Sequence, residues 1–204
     1  MRRVLGVLLA AGTAATLFVL PLFVPPVWAA VRATDPGKLI ETVTAEIAEI
    51  ARTSAGASRE AAVRQVLRNN FDLSYMGSAA LGTHWAQASE QQRARFLAAV
   101  ETSEARAYGE RLGNYPGSAV IVGKAVSRSN GVWTVDSSLN LAGGQSIKLE
   151  WEVHDGGQGL RIADVRVAGV SLFMTRRADF DSYIQSHGGT VEPLVKVLEA
   201  RAAR

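Results

Sequence analysis

Cysteine is absent from the 204 residues, and only 20% of them are charged. The first absence excludes a disulfide framework, a thiolate metal site and a cysteine nucleophile. The second, beside a hydrophobic fraction of 48%, excludes a disordered chain, because this much apolar surface can offset the entropy of ordering. Histidine is scarce: His84, His154 and His187 lie far apart, none in an HExxH or similar ligand spacing. No Walker or GxGxxG loop occurs, so nucleotide chemistry has no anchor and no cofactor is implied. A serine hydrolase needs a nucleophile elbow. Gly169-Val170-Ser171-Leu172-Phe173 comes nearest, but Phe173 stands where a sharp strand-to-helix turn requires glycine.

The first thirty residues lack charge after Arg3. Met1-Arg2-Arg3 is followed by the uncharged run from Val4 to Leu20, then by Pro21, Pro25 and Pro26, and Val27-Trp28-Ala29 offers small residues for a signal peptidase. A signal peptide over residues 1–29 is the expectation, with an uncleaved inner-membrane anchor as the alternative; either way the rest is exported. Without Arg2 and Arg3, 20 cations face 19 carboxylates. A near-neutral chain with no basic cluster does not fit a nucleic-acid binder.

What is present is periodic. Asp35-Pro36 opens a helix carrying Leu39, Ile40, Val43, Ile47 and Ile50 at three- and four-residue steps. Residues 54–58 read as a turn, with Ser58 capping a second helix through Val63, Val66 and Leu67. Asp72 caps a third running to Gly82. Ser89 and Gln92 form a capping box for the longest helix, from Glu90 to about Leu112, stopped by residues 113–117. The period then changes to two. Val120 and Val122 flank Ile121 in a strand expected to be covered on both faces. Trp133, Val135, Leu139 and Leu141 alternate with polar residues, as do Ile147, Leu149, Trp151 and Val153, and a fourth strand runs from Leu160 to Val167. Two short helices, about Arg177 to Ser186 and Val191 to Ala203, finish the chain. The fold class is therefore α+β: helices over about 35–115, an antiparallel four-stranded sheet over about 118–168 and C-terminal helices over about 176–203, in one domain spanning residues 30–204. Periodicity alone does not separate a filled core from one enclosing an apolar cavity.

Several ordered motifs carry a resemblance. They are Phe71-Asp72-Leu73-Ser74-Tyr75-Met76, Leu81-Gly82-Thr83-His84-Trp85, residues 89–96, then Tyr108, Leu112 and Tyr115. The fullest is Ile162-Ala163-Asp164-Val165-Arg166-Val167-Ala168-Gly169-Val170-Ser171-Leu172, followed by Arg177 and Phe180. Together they resemble the MlaC/Ttg2D family of periplasmic phospholipid-binding proteins, the toluene-tolerance auxiliary components, and also its hopanoid-associated HpnM branch. Phe173-Met174-Thr175-Arg176-Arg177 departs from the family's usual Asn-Tyr-Arg-like stretch, and Val100 replaces a common aromatic.

The resemblance implies an NTF2-like curved sheet wrapped by helices around an apolar cavity, and a lipid carrier instead of an enzyme. Its partners would be a phospholipid or hopanoid, the membrane-bound components of an ABC transporter, and an outer-membrane lipid donor or acceptor. The expected acyl-chain wall comprises Phe71, Met76, Leu81 and Trp85, with Phe96 and Tyr108 from the long helix. Val135, Ile147, Leu149 and Trp151 would supply the sheet side, and Phe173 and Phe180 would close one end. Arg177 would meet a lipid phosphate, or pair with Asp164 or Asp179 and fix the last helices. Asp164, between apolar strand residues, reads as a buried partner for amides or arginine.

Overall fold

The structure, a computed structural model, describes residues 34–113, 118–141, 143–155, 157 and 159–203. The expected signal peptide therefore lies outside the described residues. Helix α1 (Pro36–Thr53) starts where Asp35 accepts the amides of Gly37 (2.8 Å) and Lys38 (3.2 Å), satisfying donors that a first turn leaves open. Its stripe of Leu39, Ile40, Val43 and Ile50 is buried against the sheet. Helix α2 (Gly56–Asn70) begins earlier than its sequence suggests. Ser58 is not the cap but a first-turn residue, its hydroxyl donating back to the Ala55 carbonyl at 2.7 Å. Gly56, at φ +52°, lets the chain turn in two residues.

Helix α3 (Leu73–Leu81) is capped by Asp72, which accepts the Tyr75 amide at 2.9 Å. Gly82 then breaks direction at φ 54°, ψ −126°, and the short helix α4 (Thr83–Gln87) follows. Helix α5 (Glu90–Leu112) has the expected reciprocal box: the Gln92 amide donates to Ser89 at 3.2 Å, and the Ser89 amide to the Gln92 side chain at 3.0 Å.

Strands β1 (Ala119–Ser127), β2 (Val132–Asn140), β3 (Ser146–Asp155) and β4 (Leu160–Val167) form an antiparallel meander. A fifth strand, β5 (Val170–Ser171), is added where four were expected. It returns against β4 through a two-residue turn with both φ angles positive, Ala168 at 51° and Gly169 at 83°. Two residues are too short to leave a period. Ile121 on β1 is 61% exposed, so that strand is covered on one face, not two. Helix α6 (Leu172–Ser186) starts five residues before the expected Arg177, because Ser171 caps it by accepting the Met174 amide at 2.9 Å. Helix α7 (Glu192–Ala202) closes the chain.

Buried apolar side chains fall into two clusters. One fills the space between α1, α2 and the sheet, around Val43, Val66, Val135, Trp151, Val153 and Ile162. The other joins α3, α5, α6 and α7, around Leu81, Phe96, Ile184 and Val195. Helix α5 serves both, giving Ala105 to the first and Phe96 and Ala99 to the second. Its close approach to α2 uses Gly109, where a Cβ would lie 3.5 Å from the Glu60 backbone.

A buried bond between side chains crosses the sheet-side cluster, from Trp151 Nε1 to Ser137 Oγ at 2.8 Å across β2 and β3. Ser137 is 4% exposed, so losing its partner strands a hydroxyl. Trp151→Phe is expected to lower unfolding free energy in urea by about 2–3 kcal/mol. Adding Ser137→Ala should recover part of that loss; a double mutant whose loss is the plain sum of the two single losses would show that the bond contributes nothing.

Candidate functional site

The apolar face of the sheet is unevenly covered. Register places Trp133, Val135, Ser137 and Leu139 opposite Val153, Trp151, Leu149 and Ile147, with Val167 and Val165 beyond Leu149 and Trp151. At one end Val135, Val153 and Ile162 are fully buried. Towards the other end Val120, Leu139, Ile147 and Val167 are only partly buried. Tyr108 and Leu112, on the last turns of α5, pack on the same cluster and are themselves partly buried. The result is an apolar seam whose side chains lack full cover.

The residues expected to form one wall are divided by the two clusters. Phe71, Tyr108, Val135, Ile147, Leu149 and Trp151 belong to the sheet side. Leu81, Trp85, Phe96, Phe173 and Phe180 belong to the helical cluster, where Phe96 and Phe180 meet edge to face at 5.5 Å. Met76 is partly buried on α3 and in neither cluster. Phe71 sits at the edge of β4, bridged to Ile162. Trp85 lies at a rim, under the Arg93 guanidinium at 5.2 Å. The structure adds Val120, Leu139, Val167 and Leu112 as partly exposed members of the sheet side. Their positions towards the strand and helix ends were the available signal.

The polar groups are mostly committed. Asp164, 6% exposed, accepts the Phe173 amide at 3.3 Å and has Arg166 at 3.9 Å. It opposes Glu152 across the ladder, on the side away from the apolar face. His84 is bonded to Asp181 at 2.8 Å, His154 to Glu152 at 2.7 Å, and His187 stacks on Tyr183 at 3.9 Å. Among the described residues no group of three His, Asp or Glu side chains could hold a metal ion. Across the gap between α5 and α6, Glu104 pairs with Arg176 at 2.8 Å. Burial, and then the Glu104 charge, push the Tyr108 phenol up to about 12. Arg177 pairs with neither Asp164 nor Asp179 among the described residues. The described residues include an open cleft of about 390 Å³ between Gly82 and α6 and a small one of about 60 Å³ beside Lys148 and Arg166. Of the expected wall residues only Leu81 lines either cleft.

Set beside known proteins, residues 38–200 match the family model described as MlaC protein. No curated protein matches the chain. Among solved structures, a phospholipid-binding protein from Ralstonia solanacearum, in complex with a phospholipid, is similar at a TM-score of 0.70 and 20% identity. That match covers 83% of this chain and 97% of the other. At this identity it shows the shared fold. The family match extends from the first turn of α1 into the last turn of α7, taking in every strand and both apolar clusters. This chain belongs to the MlaC family.

Proposed function

We propose that this protein is a periplasmic lipid shuttle, holding acyl chains in the seam between the sheet and α5 and exchanging them with an ABC-transporter system between two membranes. The observation that supports it most is the fold shared with a protein whose structure contains a phospholipid. The partly covered side chains Val120, Leu139, Ile147 and Val167 supply apolar surface at the place where chains would enter. No helix among the described residues is long and apolar enough to cross a membrane.

Free energy favours a seam over an open groove. Burying a methylene contributes about 0.8 kcal/mol, so two chains of roughly fifteen methylenes involve on the order of 24 kcal/mol of gross transfer. Such a cargo must be enclosed to cross water. The α5 and α6 helices face each other here through long side chains, the Glu104–Arg176 pair among them. Parting them from the sheet end would admit chains without disturbing the buried Val135–Trp151–Ile162 end.

Turnover is not part of this reading. Asp164 is occupied by an amide and an arginine, and His84 by Asp181. Neither is offered to the apolar seam as a free acid or base.

Native mass spectrometry of protein purified from its own membranes should show a bound diacyl phospholipid. Ile147→Trp, which fills the seam from the sheet side, should reduce the bound fraction about tenfold while circular dichroism stays that of the wild type. A lipid-free wild type would end the proposal. A polycyclic triterpenoid in the spectrum would instead assign the chain to the hopanoid-associated branch.

Tyr108 provides an optical probe of the same seam. Its raised pKa means that the folded state retains the proton longer than the unfolded state. The stability it contributes is present below about pH 10 and declines as pH rises through the window from about 10 to 12. Ultraviolet titration should show a tyrosine ionising towards pH 12 that Tyr108→Phe removes, and the variant's stability should fall less steeply over that window. An unchanged titration curve in Tyr108→Phe would place the buried phenol elsewhere.

A further inference from the structure

The 390 Å³ cleft lies outside the sheet-side seam. Its floor is Leu81, 2% exposed and part of the helical cluster, together with Ala178. Met174, 53% exposed, forms a lip, and Gly82 and Thr83 form the facing wall. Two opposite charges face this space from one helix, Arg177 and Asp181.

Arginine and aspartate four residues apart on a helix are neighbours within reach of each other. These two do not come within ion-pairing distance, and each is held elsewhere. Asp181 has His84 Nε2 on Oδ1 at 2.8 Å and accepts from Gln185 Nε2 on Oδ2 at 2.8 Å. Its carboxyl is held below the usual range, first by the His84 bond. The Arg177 guanidinium lies against Gly82, where a Cβ would come within 3.0–3.2 Å of Nη2, Cζ and Nε. Gly82 is also at φ 54°, so both the backbone bend and the missing side chain admit the guanidinium. Among the described residues Arg177 has no counter-ion and no hydrogen-bond acceptor, and packing against Gly82 sets its position, leaving its donors for a ligand. The orphaned buried Nδ1 of His84 stands behind the carboxylate.

A cation and a carboxylate on one wall, an apolar floor and a volume within the range of small-ligand sites fit a zwitterion better than a simple anion. An anion would satisfy Arg177 but would face the Asp181 charge. A phosphodiester joined by a short hydrocarbon link to an ammonium satisfies both. We propose that this cleft binds the zwitterionic head group of a phospholipid, its phosphate on Arg177 and its ammonium on Asp181, with Met174 against the glyceryl carbons. The proposal rests on the lipid-binding reading, and the head group could belong to the carried lipid or to one still resident in a bilayer.

Titration calorimetry of the purified protein with soluble glycerophosphoethanolamine and with glycerol 3-phosphate tests the site. The zwitterion should bind the wild type more tightly. Arg177→Gln should weaken both probes about tenfold. Asp181→Asn should weaken only glycerophosphoethanolamine, removing its advantage. Equal affinity of the wild type for the two probes, or wild-type binding of glycerophosphoethanolamine by either variant, overturns the proposal. Circular dichroism checks that both variants are folded.

Two further arms separate the sources. Loss of ethanolamine lipids from the mass spectrum of either variant assigns the cleft to the cargo. An unchanged spectrum, with weaker sedimentation on phosphatidylethanolamine vesicles than the wild type, assigns it to the bilayer. No change in either arm overturns the lipid assignment. A wild type that carries no lipid at all defeats the shuttle reading and leaves the calorimetric result to stand or fall separately.

Discussion

A five-stranded antiparallel sheet with one apolar face must bury that face, and here the available helices cover it incompletely. Helices α1 and α2 seal one end down to full burial of Val135, Val153 and Ile162. Helix α5 would be the natural cover for the rest, but its own apolar surface is shared. Phe96 and Ala99 are committed to α3, α6 and α7, and Ala105 and Gly109 to the contact with α2. Only Tyr108 and Leu112 are left over for the sheet's far end. The partly exposed row of Val120, Leu139, Ile147 and Val167 follows from that division. In a protein selected only for stability such a row would be filled by larger side chains.

Polar contacts fix how the helices sit around this row. Arg95 of α5 reaches Glu192 at 3.0 Å and Glu199 at 2.7 Å on α7, while Glu101 holds Arg68 of α2 at 2.8 Å. Arg106 donates to the carbonyls of Arg201 (3.1 Å) and Ala202 (3.2 Å), satisfying acceptors that the end of α7 leaves open. These groups are substantially exposed, so solvent screening keeps their contribution to stability small. Their effect is geometric: they set the angle of α5 to its neighbours on the side away from the sheet. On the seam side the comparable link is Glu104–Arg176 alone among the described residues. The helical layer is thus tied more firmly to itself than to the sheet's far end.

Much of this architecture could be read from the residues. Alternation in Ile147-Lys148-Leu149-Glu150-Trp151-Glu152-Val153 assigns inward and outward faces because strand side chains alternate, and the burial pattern follows it. Asp35, Asp72 and Ser89 mark helix starts because first-turn amides need acceptors. Ser171 belongs to the same class, but its capping role was hidden behind a two-residue strand with no detectable period. The candidate wall was legible only as a set of apolar residues. Trp151 and Phe96 are both large aromatics and both buried, yet one faces the sheet cluster and the other the helical one. That assignment depends on how α5 is rotated between two neighbours, a tertiary property to which periodicity is blind. Arg177 shows the same limit: its proximity to Gly82 joins residues 95 positions apart.

Dividing the core also answers a difficulty that any lipid carrier faces. If the cargo completed the only core, delivering it would unfold the protein, and the loss would compete with release. Here Phe96, Ile184, Leu194 and Val195 form a sealed cluster that needs no ligand, and α1 and α2 seal the sheet independently of it. On the proposed reading, emptying the seam would cost the fold itself only the re-exposure or closure of a few partly buried side chains, the acyl chains' own transfer being met by the receiving membrane. By area bookkeeping each fully buried side chain of this size is worth about 1.5–3 kcal/mol, and partial cover correspondingly less. On the proposed shuttle reading the fold would therefore persist when the seam is empty, and a membrane partner parting α5 from the sheet would work against a modest barrier instead of against the fold.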